Sequence, residues 1–129
     1  MAHRVYRSDD GLLCMAIDGP VSSAETAEIR DRLLVALGDG GPPLLLIDQS
    51  RAELAFSREA RREMQTAAEL LTWERAAIFG MSNFNRMIGR VVLALAGKTE
   101  STQFFATEGE ARAWLLSARD ASRPSSGAG

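Results

Sequence analysis

Short apolar runs alternate with longer stretches of helical periodicity along this chain. Leu44–Asp48 is a nearly unbroken apolar run that ends in a polar residue, which is typical of a buried parallel strand. Ala76–Phe79 and Thr102–Phe105 are predicted to be further strands. Apolar residues recur three and four positions apart in four other segments, which predicts helices there. These helices are Ala24–Leu37, Ser57–Thr72, Phe84–Ala96 and Glu108–Ser117.

The first residues of the chain predict a β-hairpin. Val5–Arg7 and Leu12–Ile17 are short strand candidates, and the Asp-Gly pair between them is a strong hairpin signal. Gly19-Pro20 is expected to stop the second strand, after which Ser22 or Ser23 can cap the first helix. Strands that then alternate with helices predict a mainly parallel sheet with right-handed crossovers.

Length and composition limit the classes to which the protein can belong. A chain of 129 residues is expected to form a single domain, here over residues 1–118, and the small polar residues that follow predict a disordered tail over 119–129. The net charge is −2 and no basic stripe dominates, which argues against a nucleic-acid partner. No secretory leader and no run of roughly 20 apolar residues is present, so we expect no transmembrane segment and a cytoplasmic protein.

Few residues are suited to metal binding or catalysis. His3 is the single histidine and lies near a chain end expected to fray, and Cys14, the single cysteine, lies in an apolar strand where a buried inert thiol is expected. We therefore expect no metal and no cofactor. No histidine accompanies an interior nucleophile, so an enzyme is not expected. Asp48 and Glu53 are the remaining acid–base pair, but a turn cap and a solvated carboxylate explain them better.

Ser57 has three interpretations. It can be the N-cap of the second helix, which alone is enough to explain a serine there. It can be a phosphorylation site, because a phosphate would meet the positive end of the helix dipole and the neighbouring Arg58 and Arg61. It can also contact a ligand.

The predicted helix Phe84–Ala96 is more apolar than one contact with a sheet requires. From Met87 onwards its only charged residue is Arg90. A fully buried helix would explain this composition. So would a helix whose Met87, Val91 and Leu95 line an apolar pocket or form an interface with another molecule.

Four segments resemble the STAS superfamily, the fold of anti-sigma factor antagonists and of the cytosolic domains of sulfate transporters. They are LLLIDQS (44–50), FSREARREM (56–64), RAAIFGMSNFNRMIGRVV (75–92) and TQFFATEGEARAWLL (102–116). The last is the most specific, because a Phe-Phe strand leads into a helix with Ala-x-x-Trp-Leu spacing. The chain is most similar to the SpoIIAA-like branch of stand-alone bacterial proteins, over about residues 3–117.

The resemblance implies a fold and a class of function. The fold would be α/β and STAS-like, a mixed, mostly parallel sheet of about five strands with helices mainly on one face. Anti-sigma factor antagonists carry Asp-Ser-Ser-Gly before the corresponding helix, and a kinase phosphorylates the second serine. Here the matching stretch is Phe56-Ser57-Arg58-Glu59, so Arg58 occupies the phosphoacceptor position and the usual motif is missing. The similarity of the SpoIIAA-like branch to lipid-transfer folds suggests apolar ligands.

A binding site is expected at the carboxyl ends of the strands, where α/β sheets place their ligands. The loops 48–57 and 80–85 should converge there. The candidate residues for binding a ligand or a partner are Asp48, Ser50, Ser57, Arg58, Ser82, Asn83, Phe84 and Arg86. The first hypothesis is a non-enzymatic regulatory module that binds a protein. The alternative is a binder of a small apolar or lipid-like ligand beside helix 84–96. A homodimer is a further expectation.

Overall fold

The computed structural model describes residues 3–53 and 58–122, which form one five-stranded sheet and four helices. The elements in chain order are β1 (Arg4–Arg7), β2 (Leu13–Pro20), α1 (Ser23–Leu37), β3 (Leu44–Glu53), α2 (Arg58–Leu70), β4 (Arg75–Phe79), α3 (Asn83–Leu95), β5 (Thr102–Phe105) and α4 (Glu108–Ser122). The strands lie in chain order across the sheet. β1 and β2 pair antiparallel as a hairpin, and the other three pairs are parallel.

The sheet divides the core into two layers, because neighbouring residues of a strand point to opposite faces. On one face lie α1, α2 and α3, over a core cluster formed by Leu13, Ile17, Ile29, Leu33, Leu45, Leu71 and Ala76. α4 covers the other face, over a cluster formed by Leu12, Cys14, Leu44, Leu46, Ala77, Phe79, Ala111, Leu115 and Ala118. The predicted α/β class and the placement of helices mainly on one face are therefore confirmed.

β2 and β3 are longer than the sequence predicted. β3 does not end at Asp48 but continues to Glu53, and β2 continues past Ile17 to Pro20. The two extensions pair with each other, from Asp18 opposite Arg51 to Pro20 opposite Glu53. Pro20 is tolerated because β1 pairs with β2 only as far as Ala16, which leaves the end of β2 with one neighbouring strand. Most of the expected 48–57 loop is therefore strand.

α4 is also longer than predicted and anchors the hairpin. It runs to Ser122 rather than Ser117, so residues 119–122 are helical and do not belong to the tail, while residues 123–129 lie outside the described residues. Arg119 donates to the backbone oxygen of Asp10 over 2.9 Å, and Arg112 forms an ion pair with the Asp10 carboxylate. These contacts explain why the helix continues past its last apolar contact with the sheet.

His3 is buried rather than at a fraying end. Only 4% of the residue is exposed. Its Nδ1 accepts the backbone N–H of Asp18 over 3.2 Å, and its Nε2 lies 2.9 Å from a carboxylate oxygen of Glu25. Glu25 also accepts the backbone N–H of Ser22 in the capping box of α1, and this hydrogen bond is the main cause that holds the pKa of Glu25 below its usual range. The predicted cap at Ser22 is confirmed.

The four described helices do not include one long and apolar enough to cross a membrane.

Candidate functional site

The carboxyl end of β4 contacts the backbone of β3 at Ser50, three residues before β3 ends. Gly80, which follows β4, has a φ of +86°, and a Cβ built on it would lie 2.6 Å from the backbone nitrogen of Ser50. Only a residue without a side chain can approach a neighbouring strand so closely in this conformation. Gly80 thus positions the turn that leads into α3 directly against β3.

Asp48 and Ser50 are hydrogen-bonded to each other at this edge of the sheet. Oδ1 of Asp48 accepts both the backbone N–H of Ser50, over 2.9 Å, and the Ser50 hydroxyl. Both residues belong to β3, and Ser50 is exposed. The pair offers a hydroxyl and a carboxylate to an incoming polar group. No group of three or more His, Cys, Asp or Glu side chains capable of holding a metal occurs in residues 3–53 and 58–122.

The polar residues around the start of α3 mainly form hydrogen bonds that cap the helix or attach it to β5. Ser82 is the N-cap, and its Oγ accepts the backbone N–H of Asn85 over 3.2 Å. Asn83 is the first residue of α3 and is exposed. Arg86 donates from Nη2 to the backbone oxygen of Phe105 over 2.9 Å, which ties α3 to the end of β5. Ser82 and Arg86 therefore have structural partners at positions where the sequence predicted binding residues.

Two further candidates lie at the break in the described chain. Ser57 lies outside the described residues, and Arg58 is the first residue of α2. The three interpretations of Ser57 therefore stay predictions.

An apolar stripe covers the outer face of α3. Its members are Phe84, Met87, Val91 and Leu95, which recur three or four positions apart and are 62%, 56%, 57% and 64% exposed. Met87, Val91 and Leu95, which were predicted to line an apolar pocket or to form an interface, are exposed and do not belong to the lining of the cavity described below. We call these four residues the α3 stripe.

The opposite face of α3 packs on the sheet and borders a cavity of about 200 Å³ that is partly open to solvent. Gly89, Val92 and Leu93 line this cavity, together with side chains of α1, α2 and the sheet. Gly89 allows close packing, since a Cβ on it would lie 3.1 Å from the ring of Phe104. A pocket therefore lies beside helix 84–96, but on the face of α3 opposite to Met87, Val91 and Leu95.

Two polar atoms without partners belong to residues that line this cavity. Oε1 of Gln49 and Nε1 of Trp73 are buried and form no hydrogen bond within the described part of the chain. Gln49 follows Leu45 and Ile47 on the same face of β3. The alternation of Leu45, Ile47 and Gln49 along the strand could have identified Gln49 as a residue of this site. The sequence analysis does not include it because it expects β3 to end at Asp48.

Searches for sequence relatives found none: no family model and no curated protein matches the chain. Solved structures do match. An uncharacterised DUF3478-family protein with a SpoIIAA-like fold from Shewanella loihica PV-4 is 21% identical, with 88% of this chain and 92% of that chain covered and a TM-score of 0.62. The unphosphorylated anti-sigma factor antagonist SpoIIAA is 16% identical, with 89% and 98% covered and a TM-score of 0.60. An anti-sigma factor antagonist from Mycobacterium paratuberculosis is 19% identical, with 88% and 92% covered and a TM-score of 0.60. The chain therefore has a SpoIIAA-like fold, as the sequence resemblance predicts.

Proposed function

We propose that this protein is a non-enzymatic regulatory module of the cytosol that binds a protein partner through the α3 stripe. The observation that carries the proposal is the exposure of four large apolar side chains on one face of a single helix. Single exposed apolar residues are ordinary on protein surfaces, whereas a contiguous apolar patch is typical of an interaction site. Arg90 is the only charged residue exposed on α3, so burying the stripe requires little removal of water from charges.

The fold neighbours support this class of function. Two of them are named as anti-sigma factor antagonists, and one of these, SpoIIAA, was solved in both unphosphorylated and phosphorylated forms. In this chain Arg58 occupies the position that the resemblance assigns to the phosphoacceptor. We therefore propose that partner binding does not depend on the usual phosphorylation, and that any phosphate would be found on Ser57.

A charge in the α3 stripe is expected to abolish partner binding. Val91→Glu should weaken the complex at least about tenfold, because the carboxylate would be buried without a partner in an apolar interface. Its effect on the free energy of unfolding should stay within about 0.5 kcal/mol, since Val91 is exposed. The measurement is quantitative mass spectrometry of proteins retained from an extract of the source organism, followed by titration calorimetry with the purified partner.

Val35→Glu provides the matched control. Val35 is 78% exposed on α1, so the same substitution is made on a different helix of the same face. It should leave binding unchanged. Retention of the same partner by Val91→Glu, or equal loss with both variants, would contradict the proposed surface.

The stripe could instead bind a second copy of this chain. Native mass spectrometry distinguishes a homodimer from a complex with a different protein. If the wild type is a dimer and Val91→Glu a monomer while Val35→Glu remains dimeric, then the stripe is a homodimer interface. A monomeric wild type would leave the stripe to a different protein.

The cavity favours a second candidate function, the binding of a small apolar molecule. A lining of mainly apolar side chains is typical of a ligand pocket, and the volume of about 200 Å³ lies below the roughly 300–1,000 Å³ of most such pockets, which indicates a small ligand. The residues that would form this site on α3 are Gly89, Val92 and Leu93. Native mass spectrometry of the protein from its own host also tests this candidate, because a retained ligand would add to the mass of the polypeptide.

A further inference from the structure

We infer that the cavity binds a small neutral molecule with a hydroxyl group, of the size of an alkylphenol, whose O–H donates to Oε1 of Gln49. The inference rests on the second candidate function, ligand binding, and specifies its ligand. It is independent of the α3 stripe, which lies on the opposite face of the helix.

The size of the cavity limits the ligand to about one ring with a short alkyl group. An apolar cavity of about 150 Å³ in another protein stays dry and accepts benzene. The cavity of about 200 Å³ here has room for a few more atoms than benzene. A long acyl chain or a diacyl lipid exceeds this volume and would extend beyond the cavity.

The charges around the cavity favour a neutral ligand. Among the described residues that line it, Arg30 is the only charged one, and its Nε already donates to Asp31 over 3.3 Å. The hydroxyl of Thr26, another lining residue, donates to the backbone oxygen of Ser22 over 3.0 Å. A charged ligand would lose its hydration in this mainly apolar space without a dedicated partner of opposite charge.

Gln49 supplies the specificity for a hydroxyl group. Its Oε1 is a buried acceptor without a donor, and buried polar groups of this kind normally have a partner. A hydroxyl donor would restore the missing hydrogen bond, whereas an apolar isostere would leave it unmade. Trp73 precedes β4 and Gln49 lies near the carboxyl end of β3, so the two unpartnered atoms lie towards opposite ends of the cavity. A ligand of this size reaches one of them.

The test compares two molecules of nearly equal shape. Para-ethylphenol and para-ethyltoluene differ by a hydroxyl in place of a methyl group, and each is titrated into the full chain by calorimetry. We expect the wild type to bind para-ethylphenol more tightly. In Gln49→Leu the ratio of the two affinities should fall by at least about tenfold, because the acceptor is lost while the shape is kept.

The controls separate the inference from the wider function. Gln103→Leu makes the same change at an exposed position of β5 and should leave the ratio unchanged. Wild-type binding of both probes with no preference for the phenol would overturn the role of Gln49 while supporting the apolar-ligand function. A preference that survives in Gln49→Leu but disappears in Trp73→Phe would likewise overturn it. Failure of both probes to bind the wild type would remove the inference and the ligand function together. If Gln49→Leu does not fold, the preference of the wild type for para-ethylphenol over para-ethyltoluene alone tests the inference.

Discussion

Replacing Gly80 by alanine is expected to lower the free energy of unfolding by about 2–5 kcal/mol. Two costs add in this variant. A φ of +86° is unfavourable for a residue with a Cβ, by about 1–2 kcal/mol. The new Cβ would also lie 2.6–2.7 Å from three atoms of Ser50, two of them backbone atoms, so β3 or the turn must shift. Overpacking of this kind costs about 1–3 kcal/mol. Urea denaturation of the two proteins measures the difference.

Gly97→Ala isolates the first of these costs. Gly97 also has a positive φ, of +73°, but a Cβ on it would meet no atom within 4 Å. Its destabilisation should therefore be about 1–2 kcal/mol, the conformational cost alone. If the two variants lose the same stability, then the close approach of Gly80 to Ser50 adds no cost of its own. The tight contact between the end of β4 and β3 would then be wrong.

Gly80→Ala is also expected to change the position of the α3 stripe. Gly80 is separated from the N-cap Ser82 by one residue, so a shift of the turn moves the start of α3. Phe84, the first member of the stripe, lies within the first turn of that helix. The same close approach that holds the sheet edge together thus also sets the direction in which the stripe faces.

Much of the architecture could be predicted because it depends on local patterns. The apolar run that starts at Leu44, the alternating helices and the Asp-Gly hairpin each identify an element without reference to the rest of the chain. The end of β3 could not be found this way. The stretch from Gln49 to Glu53 is mainly polar and forms a strand only because β2 continues beside it. That pairing joins residues more than thirty positions apart.

The orientation of α3 is the second feature that the sequence leaves open. Because nearly every residue after Met87 is apolar, the helical pattern does not identify one face as buried. The packing of Gly89 against the ring of Phe104 fixes the rotation. As a result Met87 and Val91 face outwards, and the cavity lies on the other side. A volume left between three helices and a sheet is a property of packing, which no periodicity encodes.

After Gly80, Arg7 is the position outside the apolar core where a substitution is expected to lower the free energy of unfolding most. Its guanidinium donates to the backbone oxygens of Gly11, Pro42 and Ala36, over 3.0, 2.7 and 3.2 Å. It also forms a two-pronged ion pair with Asp39. Arg7 thus joins the hairpin, the end of α1 and the segment that leads into β3. Arg7→Ala removes a donor from three carbonyls, of which the Ala36 oxygen keeps the backbone N–H of Asp39 at 3.2 Å, and we expect a loss of about 2–4 kcal/mol in urea denaturation.

Arg4→Ala is the matched control for this loss. Arg4 belongs to the same strand and is exposed, with its guanidinium 5.6 Å from the centre of the Tyr6 ring. Its removal should change stability by no more than about 0.5 kcal/mol. Equal effects of the two substitutions would mean that Arg7 acts as a general surface charge rather than as a connector.

The effect of Arg7→Ala should also depend on pH through Asp39. The hydrogen bonds from Arg7, followed by that from the Gly41 backbone N–H, hold the pKa of Asp39 below its usual range. A carboxyl whose pKa is lower in the folded state stabilises the protein above its ordinary pKa, and this contribution is lost as the pH falls through the lowered value. The stability difference between wild type and Arg7→Ala should therefore be smaller at pH ~2 than at neutral pH.

An Arg7→Lys variant, which keeps the charge but lacks the planar fork, should retain part of this pH dependence while still losing carbonyl hydrogen bonds. A difference that stays constant with pH would show that Asp39 does not take part, and would leave the three carbonyls as the whole basis of the effect.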